Sequence, residues 1–323
     1  MIKNKNILIV GVGEIGSRHL QAISKLKNVS IEVIDPDKNS IKIAKSRLPD
    51  INSNNVLNFY GSIELINANI DLAIISTSSR VRFNVTKEII SKKNVKNIVF
   101  EKVLFQKEKD YYKMQKLLKE NNIKAWVNHP RRMFPFYKKL KNELKKSNNI
   151  IFNYTGYNWA MASNGLHLID LISFLSDSNE LIINNSMIDR KIIKSKRNGF
   201  LEVLGSIQGK VGDSFFNLSS VDYKIKPTMT IYSENHIFVI DEAMGEVYHR
   251  NAGNDWMSNK YHEKIIFFQS ELSNDFTSEI LEKNSCSLPK YEDSIKLHIP
   301  FIKSLIEHFN RTGLEEIDYC NIT

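Results

Sequence analysis

The sequence predicts an α/β protein in two parts. A doubly wound parallel sheet comes first, followed by an α+β domain with an open, mainly antiparallel sheet. Three observations predict it. Apolar runs of strand length alternate with helical periodicity over the first 127 residues, with short connections, as a parallel sheet requires. Gly11, Gly13 and Gly16 stand in Gly-x-Gly-x-x-Gly spacing directly behind the first run. After Lys146 that grammar gives way to β-rich segments punctuated by Gly209, Gly212, Pro227, Asn235 and Gly245.

Each element has its own signal. Strands are expected at Ile7–Val10, Ile31–Ile34, Leu57–Tyr60, Leu72–Ser76, Ile98–Phe100 and Ile123–Val127. Helices between them follow from apolar spacings such as Leu20, Ile23 and Leu26, then Phe83, Val85 and Ile89, then Tyr111, Met114 and Leu118. Beyond them come a strand at Ile150–Trp159, a helix at Leu166–Leu175 and a meander of four or five strands over Gly199–Tyr248. Helical patterns return at Asp275–Lys283 and Tyr291–Asn310. The domains are set at residues 1–128 and 129–323, a length sufficient for two cores.

The glycine turn carries the first chemical expectation. A strand, a tight turn and a helix N-terminus make a phosphate site, because free N–H groups and the positive dipole end face the anion. Gly11 permits the turn, Gly13 opens the backbone to a pyrophosphate, and Gly16 lets helix and strand approach. Gly11, Gly13, Glu14, Ile15 and Gly16 are therefore placed against a dinucleotide. Asp35 ends the second strand about 24 residues after Gly11 and suits ribose hydroxyls. Its charge repels a 2′-phosphate, so NAD is expected over NADP. Ligands of such sheets lie beyond the strand carboxyl ends. That adds Thr77, Ser78, Glu101, Lys102 and Asn128 to Arg132 as positional candidates.

Bulk properties narrow the class. The chain has 42% hydrophobic and 25% charged residues, as ordinary globular proteins do. No apolar run reaches the roughly 18 residues of a membrane span. Lys3 and Lys5 precede an apolar stretch, but Glu14 interrupts it and the glycine turn uses it, so no signal peptide is expected. Cys286 and Cys320 form no Cys-x-x-Cys pair, which fits a reduced, cytoplasmic protein. The net charge of +9 is scattered over helix faces such as Lys138, Lys139, Lys141, Lys145 and Lys146, around a buried stripe of Phe136, Leu140 and Leu144. No nucleic-acid partner is expected from it. The eight histidines lack metal spacing, and neither a metal nor a hydrolase elbow is expected.

Three further constellations can carry chemistry. Lys102, at a strand end, can donate to a substrate hydroxyl or carbonyl and stabilise an oxyanion, while Glu101 holds either the lysine or a ribose. His167 and Asp170, at i and i+3, share a helix face and form either a proton shuttle or a satisfied core pair. His129, Arg131 and Arg132 follow the sixth strand, where the arginines suit carboxylate or phosphate recognition or else brace the fold.

Taken in order, these residues resemble the Gfo/Idh/MocA family (glucose–fructose oxidoreductase, inositol dehydrogenase and rhizopine catabolism proteins). The resemblance rests on Gly11–Gly16 with Ser17-Arg18-His19, the Ile74–Ser78 strand end, Glu101-Lys102, Arg131-Arg132 and Gly165-x-His167-x-x-Asp170. It extends to Leu288–Ser294 and to Asn321-Ile322-Thr323, an ending like that of members tied to surface polysaccharides. It implies a Rossmann domain, NAD, and hydride transfer to or from a sugar or nucleotide sugar. It implies Lys102 and His167 as catalytic residues and His129, Arg131, Arg132, Asn164 and Asp170 around the substrate. A homodimer or homotetramer joined through the antiparallel sheet is also implied. Two positions depart from the family pattern. Val103 replaces a proline, and Ser163 stands where an acid is expected, leaving Asn164 or Asp170 to orient His167. That departure keeps open a non-catalytic NAD- and sugar-binding sensor, or a redox-assisted glycosidase or epimerase.

Overall fold

In the computed structural model, residues 5–48, 56–145, 147, 149–312 and 316–323 are described. Lys3 and Lys146 lie outside the described residues. The chain forms two compact units. The first takes in the chain to Phe105, then Lys109–Pro130 and Phe267–Glu292. The second holds Gln106–Glu108, Arg131–Ile266 and Asp293–Thr323.

The first unit carries β1 (Lys5–Val10), β2 (Val29–Ile34), β3 (Val56–Tyr60), β4 (Asn69–Ile70), β5 (Leu72–Ile75), β6 (Asn94–Val95), β7 (Asn97–Phe100) and β8 (Lys124–Val127). Six of them form one parallel sheet in the order β3-β2-β1-β5-β7-β8, while β4 and β6 pair separately. Each of the six strand runs expected from the sequence is in that sheet. Helices α1 (Glu14–Ile23), α2 (Lys38–Ser46), α3 (Ser79–Lys92) and α4 (Glu108–Glu120) connect the strands. Central strands such as β5 and β7 are buried throughout, which is why they read as continuous apolar runs rather than alternations. The strand order reverses between β1 and β5, and the crevice beyond that switch point is where such sheets bind ligands.

One helix of this unit comes from far along the chain. Residues Gln269–Lys283 form a helix whose Leu272, Phe276 and Ile280, four apart, are buried. It packs against α1, with Phe276 edge-on to His19 at 6.0 Å between ring centres. The expected division at 128/129 places this segment in the second domain. The structure returns it to the first, because its apolar stripe covers α1.

The second unit is built on α5 (Pro135–Leu144), α6 (Met161–Ser176) and nine strands. These are β9 (Ile151–Tyr157), β10 (Leu181–Asn184), β11 (Ile188–Lys194), β12 (Leu201–Val211), β13 (Ser214–Val221), β14 (Thr228–Tyr232), β15 (His236–Asp241), β16 (Glu246–Asn251) and β17 (Ser258–His262). The sheet runs β10-β12-β13-β9-β14-β15-β16-β17, with β11 beside β12. Only the β9–β13 pair is parallel among its described pairings. Its inner face, including Phe152, Leu218, Ile231, Phe238 and Val247, is fully buried, as are Phe136 and Leu140 of α5. In chain order the Gln269–Lys283 helix is α7, and α8 spans Tyr291–Arg311. No helix among the described residues is long and apolar enough to cross a membrane.

Candidate active site

The glycine turn has the geometry its spacing predicts. Gly11 sits at φ +82°, and its N–H donates to the Ile34 carbonyl at 2.8 Å. A Cβ on Gly16 would lie 1.9 Å from the Gly11 oxygen, so only glycine lets α1 approach the turn. A Cβ on Gly13 meets nothing within 4 Å, leaving open space in front of the helix N-terminus. The Asp35 carboxylate, nearly buried, accepts the Val12 N–H at 2.7 Å and the Asp37 N–H at 2.8 Å. Thus the acid at the end of β2 also fixes the turn. Glu14 opens α1 and pairs with Arg47 at 2.7 Å, and Ile15 follows it on the same helix.

Above the turn lies a cleft of about 610 Å³, inside the usual range for ligand pockets. Gly11, Gly13, Asp35, Thr77 and Ser78 line it, so five expected cofactor positions meet in one place. Glu64 and Glu88 also line it, both paired with Lys92, at 2.8 and 2.6 Å. Ser76 Oγ and Thr77 Oγ1, also on this cleft, are buried with no hydrogen-bond partner among the described residues. Buried hydroxyls without a partner are unusual and mark where a ligand supplies one. The open Gly13 face, the Asp35 carboxylate and these hydroxyls fit a dinucleotide.

Glu101 and Lys102 follow β7 directly. The Glu101 carboxylate is buried and takes Nε2 of His19 at 2.9 Å and Nδ2 of Asn128 at 2.5 Å. Burial alone raises a carboxyl pKa. Here the bonds from His19 and Asn128, with the nearby Arg82 charge, outweigh it and hold Glu101 below the usual glutamate value. Two groups of α7 complete the network: Ser273 Oγ lies 2.8 Å from His19 Nδ1, and Gln269 Oε1 accepts from Asn128 at 2.8 Å. Lys102 is half-buried beside this network, and the Lys102–Val103 peptide is cis. His129, one residue past Asn128, is buried.

Arg82 was not foreseen. It is buried on α3, and its guanidinium donates to the carbonyls of Glu101 (2.7 Å), Val103 and Leu104 (3.1 Å), and to that of Thr77. One side chain thereby ties the cleft-lining Thr77 turn to the loop bearing Lys102. Its sequence neighbourhood, Ser79-Arg80-Val81-Arg82, reads as an ordinary helix start. No local pattern separates this arginine from Arg80.

In the second unit, α6 carries the remaining candidates. From Met161 to Asp170 only Asn164 and His167 are half-exposed, and they lie three apart on one face. Asn164 donates to the Trp159 carbonyl at 2.9 Å. Asp170 is fully buried and accepts Nε of Arg132 at 2.6 Å. Arg131 pairs both ways with Glu242, at 3.0 and 2.9 Å, and Tyr137 donates to the same carboxylate at 2.5 Å. Burial works against the charge on Glu242, but Arg131 and the Tyr137 hydroxyl hold its pKa down. Both arginines thus bond buried carboxylates of their own unit. Glu202 of β12 was also missed. Buried, it accepts Ala162 N–H at 2.9 Å, Ser163 N–H at 3.4 Å and the Ser163 hydroxyl. A carboxylate therefore stands against the position where the local motif lacks one.

A glycine turn, a strand-end acid and a polar cleft at a switch point define the first unit as a dinucleotide-binding Rossmann domain. Residues 5–129 match the model of the Gfo/Idh/MocA oxidoreductase family, described as "Oxidoreductase family, NAD-binding Rossmann fold". Over these residues the chain is similar to that family's NAD-binding domain. No curated protein matches the sequence. Solved structures share the fold over nearly the full length. UDP-N-acetylglucosamine 3-dehydrogenase GnnA from Acidithiobacillus ferrooxidans aligns with a TM-score of 0.70 at 13% identity, over 94% of this chain and 97% of that one. An oxidoreductase from Agrobacterium radiobacter, in complex with NAD+, L-tartaric acid and magnesium, aligns at 0.71 and 11%, over 93% and 94%. A super-repressor mutant of Gal80p from Saccharomyces cerevisiae aligns at 0.70 and 14%, over 95% and 96%. The fold therefore serves dehydrogenases and a repressor alike.

Proposed function

We propose that the protein is an NAD-dependent dehydrogenase acting on a hydroxyl or keto carbon of a sugar or nucleotide sugar. The observation that carries this reading is Lys102, set at the end of β7 on a loop that Arg82 ties to the cleft-lining Thr77 turn. Asp35 favours NAD over NADP, since its carboxylate repels a 2′-phosphate. Gly11, Gly13, Glu14, Ile15 and Gly16 hold the pyrophosphate, and Thr77, Ser78 and Glu101 bound the remainder. When bound, NAD supplies the hydride acceptor. Lys102 donates to the substrate oxygen and stabilises its negative charge as the C–H bond breaks. His167 takes the hydroxyl proton, and Asn164 on the same helix face binds the sugar. Arg131 and Arg132, held by Glu242 and Asp170, bound the substrate in the second unit, and His129 follows β8 in the first.

A nucleotide sugar is favoured because the GnnA neighbour acts on one and the net charge of +9 draws anions. Association into a dimer or tetramer is supported by an exposed apolar strip on the outer sheet face, where Phe215, Ile151 and Tyr232 neighbour one another. The test is to incubate the protein with NAD and a panel of UDP-sugars and follow nicotinamide reduction. Turnover that Lys102→Ala reduces by about 10²-fold or more supports the enzyme. The Ser163 departure favours a second reading, a binding protein without turnover. Micromolar NAD and sugar binding with no hydride transfer, indifferent to Lys102→Ala, would establish that one instead.

A further inference from the structure

We propose that Glu143, His236 and His249 bind a divalent transition-metal ion. The three residues lie on three elements, with Glu143 far in sequence from the two histidines. Glu143 stands near the C-terminal end of α5, His236 opens β15, and His249 lies on β16. The β15–β16 register sets Phe238 opposite His249 and His236 opposite Asn251, which places both imidazoles on the inner face of the sheet. That face packs against α5, and one ligand atom from each residue falls within 4.8 Å of the other two.

The details fit an ion better than chance crowding. His236 Nδ1 and His249 Nε2 lie 3.0 Å apart. Two nitrogens on one tetrahedral zinc, each at about 2.0–2.1 Å, lie roughly 3.3 Å apart, so a small adjustment admits the ion. Glu143 Oε2 is shut off from solvent with no hydrogen-bond partner among the described residues. A buried carboxylate oxygen beside two imidazoles is a missing bond that a cation would make. The rings are already oriented: His249 stacks on Phe238 at 4.2 Å between centres, and His236 stacks on His249 at 5.2 Å. Little rotamer freedom is left to lose on binding. Lys139 of α5 has other company in Glu263 at 3.9 Å and the Tyr261 ring.

Two imidazoles and one carboxylate suit zinc, cobalt, nickel or ferrous iron over magnesium or calcium, which prefer oxygen ligands. Three protein ligands leave a coordination position for water. The ion would clamp α5 to the β15–β16 hairpin, and the inference stands apart from the dehydrogenase reading because NAD contacts none of these residues in it.

The test uses the tag-free full chain, stripped with a chelator and titrated with Co²⁺ and then Zn²⁺. We expect one Co²⁺ per chain with the intense visible bands of a four- or five-coordinate site, displaced by Zn²⁺. His236→Ala and His249→Ala should each weaken binding about 100-fold or more, and Glu143→Gln about 10–100-fold. Zn²⁺ should raise the wild-type Tm and leave that of the double histidine variant unmoved. An unchanged circular-dichroism spectrum and a cooperative melt of each metal-free variant confirm that it folds. If a variant does not fold, wild-type stoichiometry and the Co²⁺ spectrum decide alone. Absence of a saturable site, six-coordinate Co²⁺ only, or binding unchanged in the double variant would overturn the proposal and leave a hydrogen-bonded histidine pair.

Discussion

Replacing Arg82 with Met removes a buried cation while nearly keeping its volume, and the cost follows from its four contacts. The guanidinium serves carbonyls of Thr77, Glu101, Val103 and Leu104 and lowers the Glu101 carboxyl. Hydrogen bonds from charged donors are worth about 1.5–3 kcal/mol each, but contacts made by one group do not add. Removing one member of a buried charged network typically costs about 3–5 kcal/mol, and that range is expected here. With an m-value of about 2–3 kcal/mol/M, the urea midpoint of the first unit should fall by about 1–2 M. Trp126 of β8 is that unit's sole tryptophan, so fluorescence in a Trp159→Phe, Trp256→Phe background isolates its transition. Arg82→Lys keeps the charge without the planar fork and should lie between the two. A midpoint shift below about 0.3 M for Arg82→Met would refute the assignment of Arg82 as the tie between the two loops.

The glycine turn separates binding from folding. Gly13→Ala should keep its Tm yet bind NAD at least about tenfold more weakly, since its methyl enters open space beside the phosphate position. Gly16→Ala should lose NAD binding and about 2–3 kcal/mol of stability through the contact with Gly11, seen as a Tm fall of roughly 5–10 °C by calorimetry. Glu101 is held below the ordinary glutamate value near 4.5, so its stabilising share is complete above that pH and fades as pH falls through the lower folded-state value. Acid titration of Glu101→Gln should therefore show a flatter stability slope below pH 4.5 and reduced stability at neutral pH. Burial pushes the Cys286 thiol from 9.0 up to about 12, and Cys320 is fully buried. Iodoacetamide at pH 8 should modify native Cys286 about 10³-fold more slowly than an unperturbed thiol, and rapid labelling would contradict that burial.

What the sequence made legible was local or periodic. Buried parallel strands are continuous apolar runs, and the Gly11–Gly16 turn imposes its geometry within six residues, so both can be read in one dimension. Edge strands were harder. β11, with Arg190 and Lys191 exposed, and β17, with Asn259 and Lys260 exposed, carry too little apolar patterning to stand out from loops. Charged groups satisfied by distant partners were not legible at all. Arg82, Glu202 and Glu242 look like surface residues until the fold supplies Thr77, Ser163 and Arg131. The membership of α7 in the first unit was hidden for the same reason. Its apolar stripe says that it packs, but not on what.

Ser163 shows how such hidden partners change the reading of a motif. The local pattern lacks an acid there, yet Glu202 brings its carboxylate from β12 to the Ser163 hydroxyl and two N–H groups at the start of α6. Negative charge at a helix N-terminus is favourable, so this carboxylate both caps α6 and restores the missing charge. Placing an acid at position 163 should then be harmful. Ser163→Asp sets two buried carboxylates in contact, and one must take up a proton or the helix start must open. About 2–4 kcal/mol of destabilisation is expected at pH 7, shrinking toward pH 5 as the pair gains its proton. Ser163→Asp with Glu202→Gln should recover most of it, because the amide then donates to the new carboxylate. A double-mutant cycle by urea denaturation measures the coupling directly. If Ser163→Asp alone is neutral and the cycle shows no coupling, Glu202 does not stand in for the missing acid.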